Sequence, residues 1–508
     1  MLNNQFSFDK DAIIIFPEEN NLTNFPYPKN SFTSKSVRAA LQDTSVPSDN
    51  AGWDTVFAVP VSKVNDKLKD YFTTPIVFSH DMDGNVFDVN INQATCTLWK
   101  IVPGGKNGNV FFEITLTGGQ AIISGKTSNT YPLTGGVIIL EIMFSYISVP
   151  PSGSNGGAKY NLLANTNTAS GQGGSIPGAD YESIGAISEA FPDYYNNNPN
   201  QLLYVFNTVT INDQVSDPGF QWIQPTTVGY AYANGSSDDN AVFAVLCTVN
   251  GRVDSSLTNV LNPSSIPQNC ESSFNISPQC FIQYMVLPVL PAAFNAKGTS
   301  EVIDSSYFNV DNTGISITNS KDIPLAPVTH LGLQYHPVIK KFSVEWAVTE
   351  VIISSHVETE VSPGITAVVD TITYYYVTGE SNTLQYNVDT SKSSVTKSYK
   401  VATGIIVSAA ILAIILAVAA VVAVVFVEGA TLVIVGVILA IAIGLTEALP
   451  GILIAIAAKG INNEIPSLAN LISNSASKIY WPGSSDLYVS FAQFFGTLQL
   501  GGVAFPNS

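Results

Sequence analysis

The side chains best able to move protons or hold a metal near neutral pH are the four histidines, His80, His330, His336 and His356. His356 and Glu360 have the spacing that puts two side chains on one helix face. They lie in a strand pattern, however, and the second histidine of a zinc motif is missing. Asp81-Met82-Asp83-Gly84-Asn85 with Asp88 carries the oxygen ligands of a calcium loop, but glycine falls at the fourth position rather than the sixth and no Glu occupies the twelfth. Asp83-Gly84 is instead a hairpin turn signal. Pro103-Gly104-Gly105-Lys106 is glycine-rich without the spacing or the Ser/Thr of a phosphate loop. No nucleophile elbow and no nucleophile–base pair can be named. These residues predict no catalytic site, no metal site and no cofactor, and a protein that is not an enzyme.

The element that dominates the chain has no chemistry of its own. Between Lys400 and Lys459 the only charges are Glu428 and Glu447, and Ile405 through Val427 is apolar apart from Ser408. Glu428-Gly429 reads as a break, followed by a second run from Ala430 to Leu445 that extends past Pro450 toward Ala458. The first run is long enough to cross a bilayer as a helix. Neither run has a polar face, so both need apolar surroundings, either lipid or the protein's own sheet. The expectation is a helical hairpin over 401–460 with its tip at Glu428-Gly429, and Lys397, Lys400 and Lys459 together at the other end.

Composition narrows the partners. The net charge is −18 and only Arg38 and Arg252 represent arginine, too little cation to neutralise phosphates, which excludes a nucleic-acid partner. The same deficit argues against a broad polybasic face for anionic lipid, so lipid contact should be mainly apolar. Four cysteines (Cys96, Cys247, Cys270, Cys280) rule out a dense disulfide framework. Cys270 and Cys280 bracket a loop-like segment and could pair; scattered reduced thiols are the alternative. Met1 to Asn30 lacks a basic segment followed by an apolar core, so no signal peptide is expected and synthesis in the cytoplasm is, with later release beside a toxin left open.

Abundant Tyr, Phe, Thr, Asn and Gly with few charges point to a β-rich chain. Residues 1–49 read as an extended leader, and 50–400 as a sheet-and-helix body with a loop-rich insert over 150–200. Gly52 to Val59 is strand-like, and Pro60 opens a helix with Val61, Val64, Leu68 and Tyr71 on one face. Val110–Leu116 before a Gly118-Gly119 turn, Val137–Val149, Leu202–Phe206, Ala241–Val249, Phe281–Leu290 and Phe342–Val377, broken at Pro363-Gly364, read as strands. Several are apolar on both faces, and their length suits a curved antiparallel sheet rather than a compact sandwich. A short amphipathic segment (Ile465, Leu468, Leu471, Ile472) and a strand over Leu487–Leu500 close the body over 461–508.

Gly52-Trp53-Asp54-Thr55-Val56 with Val64-Asn65-Asp66-Lys67-Leu68 resembles the opening motif of a bacterial branch of the TULIP superfamily. That branch holds the forty-seven-kilodalton and OrfX accessory proteins of clostridial neurotoxin gene clusters. Trp99-Lys100-Ile101-Val102-Pro103-Gly104-Gly105 leading into a strand, and Trp481-Pro482 followed by Leu498-Gln499-Leu500-Gly501-Gly502, match in order. The leader, the 150–200 insert and Pro60 near the helix start depart from the pattern. The resemblance implies an elongated α+β fold in which a long, highly curved antiparallel sheet wraps long apolar helices, often with lipid tails in the groove between.

Two functions follow as expectations. The first is a lipid- or apolar-ligand-binding accessory protein beside a toxin, its groove walled by Val56, Val64, Leu68, Ile405, Ile411, Leu412, Ile415 and Leu416, with a toxin or sister TULIP-like proteins as partners. The second is a membrane-inserting component that uses the 401–460 hairpin, with Val421, Phe426, Leu432 and Ile438 entering the bilayer and alanines such as Ala409, Ala413 and Ala417 permitting close helix packing.

Overall fold

A computed structural model describes residues 13–15, 46–84, 86–125, 127–150, 157–211, 217–311, 314–318, 321–459 and 466–505. Among these, the backbone forms three large antiparallel sheets and a short ribbon, Val328–His330 with Leu333–Tyr335. The eight-stranded sheet is built mainly from Asp88–Lys106, Asn109–Ser124, Val137–Val149 and Ala158–Ser175. The nine-stranded sheet centres on Pro337–Ala347, Glu350–Ser362, Ile365–Glu380 and Ser394–Val401. Between them in the chain's organisation lies a six-stranded sheet in the order Pro225–Ala233, Val242–Val249, Thr55–Pro60, Ser272–Ile276, Thr497–Val503, Tyr488–Phe495. It draws on both ends of the sequence, so the opening and closing motifs meet in one sheet.

Each outer sheet carries a helix. Helix α1 (Val61–Tyr71) follows Pro60 directly and buries Val61, Val64 and Leu68, as their spacing predicts, while Tyr71 at its end, expected on the same face, is 50 % exposed. Helix α2 (Tyr181–Asn197) starts at Asp180, whose carboxylate accepts the Ser183 N–H at 2.8 Å, and packs on the eight-stranded sheet. Helices α3 (Leu287–Lys297), α4 (Ala409–Ile443) and α5 (Leu449–Lys459) pack together, with α4 lying along the nine-stranded sheet. The arrangement is the expected α+β one, a long apolar helix on antiparallel sheet.

Several local expectations are corrected. The 150–200 segment is not loop-rich: its described part is the strand Ala158–Ser175 followed by α2. Its glycines belong in the strand because backbone comes close; a Cβ on Gly174 would lie 2.0 Å from the Val137 carbonyl oxygen. Gly118-Gly119 does not turn the chain but sits inside Asn109–Ser124, where the register with Asp88–Lys106 shifts and Gly119 has φ +92°. The strand expected over Leu202–Phe206 begins only at Asn207, although Leu202, Tyr204 and Phe206 are buried.

Phe281–Leu290 is helical rather than a strand, running through Pro278–Phe281, a π-helical turn Ile282–Val286 and α3. Ser277 caps the first turn through its hydroxyl, and the π turn lies just ahead of Pro288, which has no N–H to give an α-helical ladder. Apart from the exposed Gln283 the segment is apolar, which leaves too little polarity for periodicity to separate helix from strand. The final strand is a hairpin, Tyr488–Phe495 and Thr497–Val503, turning at Gly496. Leu468, Leu471 and Ile472 are buried in and beside the short helix Ala469–Asn474, and Ile465 lies outside the described residues. So does most of the leader; its described piece, Ile13–Ile15, pairs with Ser398–Lys400.

Candidate apolar site

The break expected at Glu428-Gly429 does not exist. Helix α4 runs unbroken for 35 residues, from the Ser408 cap, whose hydroxyl accepts the Ile411 N–H at 3.3 Å, to Gly444. Glycine costs only about 1 kcal/mol inside a helix, and Glu428 finds an ion-pair partner in Lys297 of α3, so neither residue stops it. Termination falls to Gly444, which has φ +82° and packs so closely on Gly219 that a Cβ would lie 2.9 Å from the Gly219 carbonyl carbon. The Leu445 N–H then donates to the Gly219 carbonyl at 2.9 Å, fixing the reversal into α5. Gly436 admits the returning helix, since a Cβ there would stand 3.3 Å from Leu453 and 2.5 Å from Val289 of α3.

Burial along α4 divides it in two. From Ala430 to Ala442 every residue is buried, Leu432 and Ile438 among them, enclosed by α3, α5 and the nine-stranded sheet. Phe426 is also buried, its ring 6.4 Å from that of Phe342. The only side-chain polar contact recorded on this half is Thr431, which donates to the Val427 carbonyl (2.9 Å) and meets the Tyr375 hydroxyl (3.3 Å). The first half is different. Ile415, Val418, Ala419 and Val422 face the protein, while Ala409, Ala410, Ala413, Leu416 (39 % exposed) and Val421 (39 %) face solvent. Ile406, just before the helix, is 59 % exposed, and Ile405, Ile411 and Leu412 are half-buried at the edge of the same face. Enclosure by sheet therefore holds for one half of the helix only.

The remaining candidates lie elsewhere. Val64 and Leu68 sit on α1 over the eight-stranded sheet. Leu68 lines a small cavity with Phe72, Trp99, Phe112, Tyr204 and Phe206, whose open volume of about 10 Å³ holds roughly one water and no acyl chain. Val56 points to the opposite face of the six-stranded sheet, into a separate small core with Trp53, Ala58, Ala244 and Leu246. So Ile405, Ile411, Leu412 and Leu416 lie on or just ahead of the uncovered first half of α4, Ile415 turns into the protein, and Val56, Val64 and Leu68 do not join them. Sequence reasoning missed Ile454 of α5, which is 55 % exposed beside exposed Ala455 and Ala458. Its signal was present in the apolar run past Pro450.

Polar features settle into structural roles. His356 lies on the strand Glu350–Ser362, with Nδ1 2.7 Å from the Asp370 carboxylate and Nε2 3.0 Å from Glu358. Asp83-Gly84 occupies the turn after Ile76–Met82, the Gly84 N–H donating to Asp88 at 3.3 Å, while Asn85 lies outside the described residues. Pro103–Lys106 ends a strand. Among the described residues no three His, Cys, Asp or Glu gather as metal ligands, and the four cysteines are free thiols, so Cys270 and Cys280 are not paired. Burial pushes the Cys96 and Cys247 thiols up to about 12, which leaves them protonated and unreactive at neutral pH. Asp54 is buried and raised by that burial, opposed by the Val249 N–H (2.9 Å) and the Arg252 guanidinium (3.0 Å), and it ties three segments of the six-stranded sheet region together.

An apolar helix laid on antiparallel sheet, with its lone polar groups in packing roles, is the α+β arrangement of this chain. The chain belongs to the OrfX-like family, described as Protein OrfX2/OrfX3/P47, which matches residues 50–502. It is 24 % identical to Protein OrfX3 of Clostridium botulinum (strain Kyoto / Type A2) over 492 residues, covering 89 % of this chain and 97 % of that protein. Protein OrfX3 of Paraclostridium bifermentans is also 24 % identical, with the same coverage. Among solved structures, P47 from Clostridium botulinum A2 superposes with a TM-score of 0.58 at 17 % identity, over 90 % of this chain and 99 % of that one. This likeness concerns the fold.

Proposed function

We propose that this protein is a non-enzymatic, lipid-binding accessory component of a bacterial toxin system, and that the bare first half of α4 is its lipid contact. The observation that carries the reading is the unequal burial of one uniformly apolar helix: Ala430–Ala442 is enclosed, and Ile406, Leu416 and Val421 are left in water. Leu416 and Val421 lie on successive turns of α4 and Ile406 just ahead of it, exposed apolar side chains of the kind that mark a lipid or protein contact. Completing the burial of those three would contribute about 2–4 kcal/mol, from roughly 1.5–3 kcal/mol per fully buried side chain. Membership in the OrfX-like family supports the toxin context and a toxin component or sister OrfX-like protein as macromolecular partner.

Insertion of the whole of α4, through Val421, Phe426, Leu432 and Ile438, is the second reading, favoured by its 35-residue length. Extraction of α4 would bare inner-face residues of the nine-stranded sheet such as Val351, Ile353, Val357, Tyr375 and Val377. Five such side chains cost roughly 8–15 kcal/mol to expose, as much as a typical domain's whole stability. Docking by the bare half has no such cost and is preferred. The test is co-flotation of the full chain, purified without detergent, with phosphatidylcholine vesicles, followed by hydrogen exchange. Slowed exchange over 409–421 with 430–442 unchanged supports docking; no flotation removes the proposal, and faster exchange in the flanking sheet points to insertion.

A further inference from the structure

The ribbon Val328–His330 with Leu333–Tyr335 is packed at its base and bare at its tip. Val328 pairs with Tyr335 and both are buried, and the strand Val328–His330 lies against α4. Beyond the last pair, His330 with Leu333, the chain reverses through Leu331 and Gly332. Leu331 is 78 % exposed and Leu333 58 %. One bare leucine on a surface carries no meaning, but two at the end of one hairpin are a concentrated apolar contact.

The backbone and the charge pattern single out this tip. Leu331 has φ +51° and Gly332 φ +76°. Two left-handed residues make the tight hairpin turn in which Asn, Asp or Gly normally comes first, since a larger side chain meets a steric penalty there. Neither burial nor backbone conformation favours leucine at this position, and an unfavourable backbone state that is kept in place points to a function. From Ile323 to Ile339 there is no Lys, Arg, Asp or Glu, in a chain of net charge −18. The tip can therefore enter a medium of low dielectric with no fixed charge to desolvate.

The ribbon also leaves the nine-stranded sheet where α4 begins. Pro337, just after the ribbon, pairs with Thr359 near the end of Glu350–Ser362, and that strand turns back through Ser362 and Ile365. Ile365 pairs with Val401, and a Cβ on Gly364 would stand 2.5 Å from the Ile405 side chain. The ribbon and the exposed start of α4 around Ile406 thus share one end of the sheet. Two leucine side chains offer roughly 120–240 Å² of apolar area, far below the about 800 Å² that each partner of a stable protein interface buries. A fluid bilayer needs no complementary pocket, and binding to it grows with the apolar area that enters. We propose that Leu331 and Leu333 form a second lipid anchor, entering the membrane beside the first half of α4; the inference rests on the reading of that helix as a lipid contact.

The test is a lipid titration of the full chain with phosphatidylcholine vesicles, comparing the unaltered protein with Leu331→Asn. Losing the exposed part of one leucine should weaken partitioning about 5- to 50-fold. Tm should hold or rise, because Asn suits the left-handed turn position better than leucine does, whereas a leucine that served only packing would lower Tm on removal. Leu331→Trp supplies a second readout: its added fluorescence should be quenched by vesicles of brominated phosphatidylcholine. If the unaltered protein floats while Leu331→Asn floats equally well, or the added tryptophan is not quenched, the second anchor is overturned and the α4 contact stands. If the unaltered protein does not float at all, both fall together.

Discussion

The double substitution Leu416→Asp with Val421→Asp probes the bare half of α4 most directly. Both side chains are 39 % exposed on a helix whose further half, Ala430–Ala442, is buried, so both changes fall on solvent-facing positions. The apolar area each would lose to a lipid surface is worth about 0.6–1.2 kcal/mol, taking the exposed fraction of a full side-chain burial. Together they should weaken vesicle partitioning about 10- to 50-fold before any cost of bringing two carboxylates to an interface is added. Stability should fall less than for a core change: surface substitutions usually stay near about 0.5 kcal/mol each, and the partial burial of these two adds to that without reaching a core cost. The assay is flotation with phosphatidylcholine vesicles across a lipid titration, with thermal unfolding followed by circular dichroism on the same samples. Unchanged flotation at unchanged Tm would refute the assignment of this face as the contact.

Three further outcomes follow from the same geometry. Ile438→Ala, in the enclosed half, should cost about 2–5 kcal/mol in denaturant unfolding while leaving flotation of the folded fraction unaltered. Gly444→Ala forces a Cβ onto Gly219 at positive φ and should destabilise by at least about 1–2 kcal/mol, with faster exchange at the α4–α5 reversal. Partial burial pushes the Glu358 carboxyl up, but hydrogen bonds from Lys400 and His356 outweigh it and hold the group below its usual 4.5. A lowered value stabilises the fold above pH 4.5 and is lost as pH falls through it, so Glu358→Gln should flatten the acid limb of a Tm-against-pH curve and leave no extra loss below pH 4.5.

Much of this architecture could be read from pattern. The Val61, Val64, Leu68 spacing gives α1, the two-residue period of Val137–Val149 gives a strand, and the motifs around Trp53 and Trp481 give the family. What pattern could not supply was local context. Gly171 and Gly174 look like loop residues until the opposing backbone of Ser188 and Val137 is seen, and the Pro-containing, mostly apolar run from Pro278 has no clear period to distinguish a π-bent helix from a strand. Gly429 and Gly444 are indistinguishable as letters; only the latter meets another glycine at positive φ and ends the helix. For the candidate site, the sequence marked the apolar helix but could not divide it, because an alanine- and valine-rich stretch looks the same whether it faces a sheet or water.

Mass spectrometry of small molecules extracted from the full chain, purified throughout without detergent, bears most directly on whether this protein binds lipid. The account predicts a co-purifying lipid in near-stoichiometric amount that is lost in the Leu416→Asp, Val421→Asp variant. A lipid-free protein that stays monomeric and ignores added vesicles would contradict it.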